Sequence, residues 1–89
     1  MGKSNTQEEI SFSEGDLGLP YTVASYEDKK VASKLLTMGL LPGSPIRLIR
    51  KSLFGHTFYV QSEHNFFALR KEEAATILVI KTIALEKSA

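Results

Sequence analysis

A change in the spacing of apolar residues near the middle of the chain is the feature that most constrains its fold. Before Gly39, apolar residues recur every three or four positions, as on a helix with one buried face. This stripe comprises Val31, Ala32, Leu35, Leu36 and Met38. After Gly43 the apolar residues recur at every second position, which is typical of half-buried strands. One helix followed by several strands cannot form a sheet of alternating parallel βαβ units.

The residues at both ends of the predicted helix fit this interpretation. Ser25-Tyr26-Glu27-Asp28 has the form of a capping box, which predicts that Ser25 is the N-cap. Gly39 suits the left-handed position that follows the last helical turn. Pro42 and Gly43 then prevent the helix from continuing. We therefore expect a single helix that ends at Gly39, with its apolar stripe buried.

The segments on either side of the helix have the composition of strands. Residues 21–24 are rich in β-forming residues and follow Pro20, so they are predicted to form the first strand. Two alternating runs, one through Ile46 and Leu48 and the other through residues 57–61, are separated by the segment 52–56. Because Gly55 lies in that segment, we expect the two runs to pair as a hairpin.

The rest of the chain continues the pattern of short strands and tight turns. Residues 62–65 form a predicted turn, 66–70 a strand, 71–75 a single helical turn and 76–83 the last strand. The predicted fold class is mainly β with one α-helix, a small β-barrel of about five strands. A closed barrel would leave no exposed strand edges.

Length and composition indicate one small globular domain. The chain has 89 residues, of which 43% are hydrophobic and 24% charged, with a net charge of +1 and no cysteine. A disulfide framework or a thiolate metal site is therefore excluded. The longest apolar run, 77–80, is too short to span a bilayer, so no direct membrane insertion is expected. We predict a flexible polar leader over residues 1–15, the barrel domain over 16–83, and a tail over 84–89.

Several motifs occur in the order and spacing found in the FeoA domain family, which the chain resembles from about Leu17 to Ile80. They are Leu36-Thr37-Met38-Gly39-Leu40-Leu41-Pro42-Gly43-Ser44-Pro45-Ile46, Gly55 in the hairpin, Phe67-Ala68-Leu69-Arg70, and Glu73-Ala74 followed by Ile77 and Val79. The resemblance assigns a structural role to Leu36, Gly39, Pro42, Gly43 and Gly55. It implies an SH3-like barrel and a cytoplasmic accessory protein of bacterial ferrous iron uptake.

The same resemblance implies a partner for the chain. FeoA proteins act with FeoB, a membrane transporter of ferrous iron that carries a cytosolic GTPase domain. The chain would therefore dock on the cytosolic part of FeoB and would lie at the inner membrane only through that partner. The sequence leaves open whether docking activates, inhibits or only assembles the transporter, and it leaves the oligomeric state open.

No residue pattern points to catalysis, to a resident metal or to a cofactor. His56 and His64 lie in predicted turns, where a solvated side chain is the ordinary state. Glu63-His64 and Glu72-Glu73 are neighbours in sequence rather than spaced ligands, so we expect at most adventitious binding of divalent metal. The glycines of segment 39–43 lack the Gly-Lys-Ser/Thr ending of a phosphate-binding loop. We predict a protein that is not an enzyme.

Binding of single-stranded nucleic acid is the alternative function that the sequence supports. Arg47, Arg50 and Lys51 lie on one predicted strand, and Tyr59 and Phe66 could supply aromatic rings for stacking on bases. The small net charge argues instead for a solvated basic strand, so no nucleic acid is expected as a partner.

The candidate contact with a protein partner is the tip of the predicted hairpin. Leu53 and Phe54 are two large apolar residues at a position where burial within so small a domain is difficult. They could contact a partner, or they could fold back and close the mouth of the barrel. Lys34 on the helix and Arg50 on the strand complete the set of candidate partner-binding residues.

Overall fold

The computed structural model describes residues 8–82 and contains six strands, one main helix and two short helical segments. The strands are β1 (Ile10–Ser11), β2 (Pro20–Tyr26), β3 (Pro45–Lys51), β4 (Thr57–Ser62), β5 (Phe66–Arg70) and β6 (Ile77–Lys81). The helix α1 spans Lys29–Thr37, a 3-10 turn spans Phe12–Glu14, and the short helix α2 spans Lys71–Ala75. All strand pairs are antiparallel, in the order β1-β6-β2-β3-β4-β5.

The core of the domain is apolar and lies inside the curved sheet. Alternate residues of the strands point inward, as the period of two predicts. The buried strand residues are Tyr21, Val23, Ile46, Leu48, Phe58, Val60, Leu69, Ile77 and Val79. Phe12, Leu35, Leu40 and Ala74 complete the cluster from outside the sheet. The expected class, a mainly β SH3-like barrel with one main helix, is confirmed.

The ring of strands is not closed by hydrogen bonds. β1 and β5 stand at the two ends of the sheet, and they do not pair with each other. The 3-10 turn contacts α2 between these ends, and the Ser11 hydroxyl donates a hydrogen bond to the Ala75 carbonyl at 2.9 Å. The expectation of full closure is therefore wrong, because side chains and short helical segments fill the gap that a further strand ladder would occupy. The sheet has six strands, where about five were expected.

The amino-terminal boundary of the fold lies earlier than the sequence predicts. Residues 10–14 were expected in a flexible leader, but Ile10 pairs with Val79, and Phe12 is buried in a T-shaped contact with the Tyr21 ring. A single phenylalanine in a polar stretch gives no periodic signal, which explains the error. Residues 1–7 of the predicted leader and the predicted tail 84–89 lie outside the described residues.

The N-cap of helix α1 lies three residues later than the predicted N-cap. β2 continues through Tyr26, which pairs with Ile77, so Ser25 lies in a strand. Asp28 is the N-cap instead, and its carboxylate accepts hydrogen bonds from the backbone N–H groups of Lys30 and Val31 at 2.8 and 3.0 Å. An aspartate caps a helix as well as serine does, so the sequence contained two competing start signals.

The buried face of α1 is narrower than the predicted stripe. Leu35 is fully buried, whereas Leu36 is 42% exposed and Met38 is also exposed. The helix contacts the sheet at β2 and has nine residues, so only a narrow line of side chains reaches the core. The assignment of Leu36 to the buried stripe is therefore wrong.

The turn after α1 has the backbone that its glycines predict. Gly39 and Gly43 have φ angles of 91° and 93°, in the left-handed region that favours glycine. The Gly43 N–H donates to the Val23 carbonyl at 2.7 Å, which holds the turn against β2. The Tyr26 hydroxyl donates to the Leu40 carbonyl, and burial raises the pKa of Tyr26 to about 12.

Within residues 8–82 the structure has no helix with the length and the apolar character that spanning a bilayer requires.

Candidate functional site

The hairpin between β3 and β4 presents the predicted candidate site. The Gly55 N–H donates to the Ser52 carbonyl at 2.9 Å, and this bond closes a four-residue turn with Leu53 and Phe54 at its centre. Gly55 has a φ angle of 75°, so the hairpin requires the backbone freedom that glycine provides. We call Leu53 and Phe54 together the hairpin tip.

Both side chains of the hairpin tip extend into solvent. Leu53 is 89% exposed and Phe54 is 80% exposed, the highest values among the exposed large apolar residues of the described chain. The alternative in which these side chains close the mouth of the barrel is therefore not what the structure shows. Two adjacent large apolar side chains in water are a feature that protein interfaces share.

The base of the hairpin tip is held by hydrogen bonds on both sides. Ser52 bonds Thr57 twice, from its backbone N–H to the Thr57 carbonyl at 2.8 Å and from the Thr57 N–H to its hydroxyl at 3.0 Å. The Lys71 N–H, at the start of α2, donates to the His56 carbonyl at 2.9 Å. A fixed base means that a contact at the tip would require little ordering of the backbone.

Lys34 forms an ion pair between the two helices. Its ammonium lies 2.8 Å from the Glu73 carboxylate, and both side chains are partly solvent-exposed. The hydrogen bond from Lys34, together with the one from the Arg70 N–H, lowers the pKa of Glu73 below its ordinary value. Because Lys34 is already paired, a partner carboxylate would have to compete with Glu73 for it.

Arg50 lies on the outer face of the sheet, away from the core. Its guanidinium carbon is 4.2 Å from the centre of the Tyr59 ring, which is a cation–π contact. The two residues line a groove of about 380 Å³ together with Ile49, Val60, Phe66, Phe67 and Ala68. Alternation places Ile49 on the outer face, next to the buried Leu48, and the register shift between Leu48 and Arg50 turns Arg50 to the same face.

The predicted partner-binding residues therefore occupy three surface features. Leu53 and Phe54 form the hairpin tip, Lys34 belongs to the contact between the helices, and Arg50 belongs to the outer groove. The sequence did not identify this groove, because Arg50 joins it only through the irregularity in β3, whereas strict alternation would have placed Arg50 on the face of Leu48. The alternation of residues 57–61 would have placed Tyr59 on the outer face.

The contact between Arg50 and Tyr59 weakens the alternative in which the outer face binds single-stranded nucleic acid. Arg50 covers one face of the Tyr59 ring, so that face is not available for stacking on a base. Phe66, which is 73% exposed, is the ring of the groove that is most open to solvent.

The histidines and acids of the turns form no metal-ligand cluster in the described part of the chain. His56 and His64 are both exposed. Residues 8–82 contain no group of three or more His, Cys, Asp or Glu side chains placed to hold a metal ion.

Comparison with known proteins places the chain among proteins of one small family. A family model described as the FeoA domain matches residues 11–81. The solution structure of a FeoA-like protein from Clostridium acetobutylicum is 25% identical and superposes with a TM-score of 0.78, over 93% of this chain and 96% of that one. No curated protein sequence gives a significant match.

Two further structures extend the comparison. A zinc-complexed FeoA from Stenotrophomonas maltophilia, described as a prokaryotic SH3 domain protein, is 29% identical, with a TM-score of 0.69 over 79% of this chain and 88% of that one. A manganese-dependent transcriptional repressor has a TM-score of 0.78 at 19% identity, over 91% of this chain but 40% of its own. The repressor shares the fold of this domain.

Proposed function

The chain belongs to the FeoA domain family, which is associated with ferrous iron transport, and on that premise we propose that it is a non-catalytic accessory protein that docks on FeoB. The docking target is the cytosolic part of this transporter, which carries the GTPase domain. The chain would then work in the cytoplasm and would lie at the inner membrane only while bound to the transporter.

The exposed hairpin tip is the observation that carries this proposal. An apolar pair that is more than three-quarters exposed gains free energy when a partner removes it from water. Interface anchors of this kind are commonly large side chains on a rigid support. The hydrogen bonds from Ser52, Thr57 and Lys71 provide such a support here.

Two relatives support a regulatory consequence of docking. One FeoA structure is described as an iron uptake regulatory protein, and the Stenotrophomonas maltophilia protein is described as a candidate ferrous iron transport activating factor. Binding can shift the activity of a partner only if the affinity differs between the partner's states. We therefore propose that the chain binds one nucleotide state of the GTPase domain more tightly than the other.

A binding measurement with the isolated cytosolic domain of FeoB tests this function. The purified chain is titrated into that domain loaded with GDP and, separately, with a non-hydrolysable GTP analogue. The proposal predicts saturable binding with an affinity that differs between the two states. Equal affinities would contradict the regulatory part, and no binding in either state would contradict docking itself.

A further inference from the structure

The outward edge of β5 carries backbone groups that no other described strand uses. β5 pairs with β4 alone. The Ser62 N–H donates to the Asn65 carbonyl and the Lys71 N–H donates to the His56 carbonyl, so these are hydrogen-bonded residue pairs of the antiparallel ladder. Hydrogen-bonded and non-hydrogen-bonded pairs alternate along such a ladder. The N–H and C=O groups of Phe66 and Ala68 therefore point away from β4.

One end of this edge is already occupied. The Arg70 N–H donates to the Glu73 carboxylate at 3.0 Å, so that donor is used by the cap of α2. Phe66 and Ala68 are exposed, and no hydrogen bond within residues 8–82 engages their outward backbone groups. An open strand edge of this kind is a template for one more strand.

The outer face beside this edge is basic and apolar. Phe66 lies in a row with Gln61 and Arg47, and Ala68 lies in a row with Tyr59 and Arg50. Arg70 follows on the same face of β5. Neither row contains a carboxylate, and the Lys34–Glu73 pair is the one ion pair found within the described residues.

We propose that the β5 edge binds an extended acidic segment of a partner protein, which adds to the sheet as a further antiparallel or parallel strand. Its backbone would bond the free groups of Phe66 and Ala68. Every second side chain of the segment would lie on the outer face, where carboxylates would meet Arg70 and Arg50. This surface is separate from the hairpin tip and goes beyond the docking function.

Two other occupants fit the surface less well. A second copy of the chain would bring arginine-bearing faces together without intervening carboxylates. Single-stranded nucleic acid would find one ring face of Tyr59 covered by Arg50, and it cannot pair in register with the strand edge. An acidic peptide strand would form hydrogen bonds with the β5 edge and ion pairs with the arginines of the outer face.

The test uses the whole chain labelled with 15N and a short synthetic peptide in which glutamate and valine alternate. We expect binding, with the amides of Phe66 and Ala68 becoming protected from hydrogen exchange. A peptide with lysine in place of glutamate should bind at least about fivefold more weakly, because each carboxylate contact becomes a repulsion. Absence of binding, or equal binding of both peptides, would overturn the proposal.

Matched variants distinguish the contribution of the backbone hydrogen bonds at the β5 edge from the contribution of the charged side chains. Ala68→Pro removes the outward N–H while the bonds to β4 remain, and it should weaken peptide binding about tenfold, whereas Ala68→Ser keeps the donor and should not. Arg70→Glu should weaken binding about fivefold, with Lys30→Glu on α1 as the unaffected control. If Ala68→Pro does not fold, the exchange protection and the Arg70→Glu comparison still decide the question.

Two further results would overturn this inference. One is self-association of the chain that protects the same amides without peptide, which would make a second copy the occupant. The other is protection of these amides by an oligothymidylate with an affinity equal to that of the acidic peptide. Phe54→Asp should leave peptide binding unchanged, so a failure of FeoB docking and a failure of the β5 edge are distinguishable.

Discussion

Leu35 and Leu36 are adjacent in α1 but lie in opposite environments. Leu35 is fully buried against the core, whereas Leu36 points partly into solvent. One helical residue advances the side chain by about 100°, so neighbours on a helix with a narrow buried face can have different roles. Both residues are leucines with the same helix propensity, so the same substitution at the two positions makes a matched comparison.

Truncation of these two leucines should therefore have unequal effects. Leu35→Ala should lower the free energy of unfolding by about 2–5 kcal/mol, because it leaves a cavity in the core. Leu36→Ala should lower it by about 0.5 kcal/mol or less, as for most surface positions. Urea unfolding of both variants is the measurement, and a larger loss for Leu36→Ala would reverse our assignment of the helix face.

Tyr26 ties β2 to the turn after α1 by a hydrogen bond to the Leu40 carbonyl. Burial raises its pKa from 10.0 to about 12, so the folded chain holds this proton more tightly than the unfolded chain. The corresponding stability is fully present below pH 10.0 and is lost as the pH rises towards about 12.

Tyr26→Phe should remove this alkaline dependence together with the hydrogen bond. We expect a loss of about 1 kcal/mol at neutral pH, where the hydroxyl is intact. The difference between the variant and the unmodified chain should then shrink as the pH rises above 10.0. Thermal melts of both proteins across this range are the measurement, and a constant difference would contradict the role of Tyr26.

At the scale of elements, the ion pair between Lys34 and Glu73 joins α1 to α2. The hydrogen bond from Lys34 is the main reason that the pKa of Glu73 is lowered. A lowered carboxylate pKa adds stability above its unfolded value, and this stability is lost as the pH falls through the folded value. Because Lys34 is about half exposed, the contribution is small.

Glu73→Gln tests this link between the helices. At neutral pH the variant should be less stable by about 0.5–1 kcal/mol, and high salt should reduce the difference. In acid, once Glu73 is protonated, the two proteins should become similar. Glu72→Gln, on the same helix and exposed, is the matched control and should change little. Equal losses for both glutamines would show that the pair is not the cause.

The elements also show which features a sequence of this kind reveals. Gly39 has the positive φ that its place after α1 predicts, Gly43 and Gly55 have positive φ in their turns as well, and the alternation in β3 and β4 identifies the buried residues. The predicted start of α1 was wrong because Ser25 and Asp28 are both good N-cap residues. Only the pairing of β2 with β6, which places Ser25 in a strand, decides between them. The β3 irregularity that places Arg50 on the outer face has no local signal.

At the scale of the whole molecule, the segment of residues 10–15 determines how the gap between the two ends of the sheet is filled. Phe12 lies in the core, and the backbone of Gly15 approaches the Tyr21 ring so closely that an added Cβ would lie 3.0 Å from it. The same segment pairs Ile10 with Val79, a residue far along the chain, so no local pattern predicts its place in the fold. The same holds for the outer groove, which three strands build together.

Phe12→Ala should therefore destabilise the whole domain rather than loosen one end. We expect a loss of about 3–5 kcal/mol, a large part of the stability of so small a protein. Chemical unfolding followed by far-ultraviolet circular dichroism is the measurement. Phe66→Ala, which removes a ring of the same size from an exposed position, is the control and should cost far less. Similar losses in both would mean that Phe12 is not a core residue.

The central claim is that the hairpin tip docks on FeoB, and the affinity of Phe54→Asp for the isolated cytosolic domain tests it most directly. Leu41→Asp is the matched control, because Leu41 is also an exposed large apolar residue but lies in the turn before β3, at the other end of that strand. Both variants should keep the melting temperature of the unmodified chain. The account predicts that Phe54→Asp binds about thirtyfold more weakly while Leu41→Asp is unchanged. Unaltered affinity of a folded Phe54→Asp would contradict it.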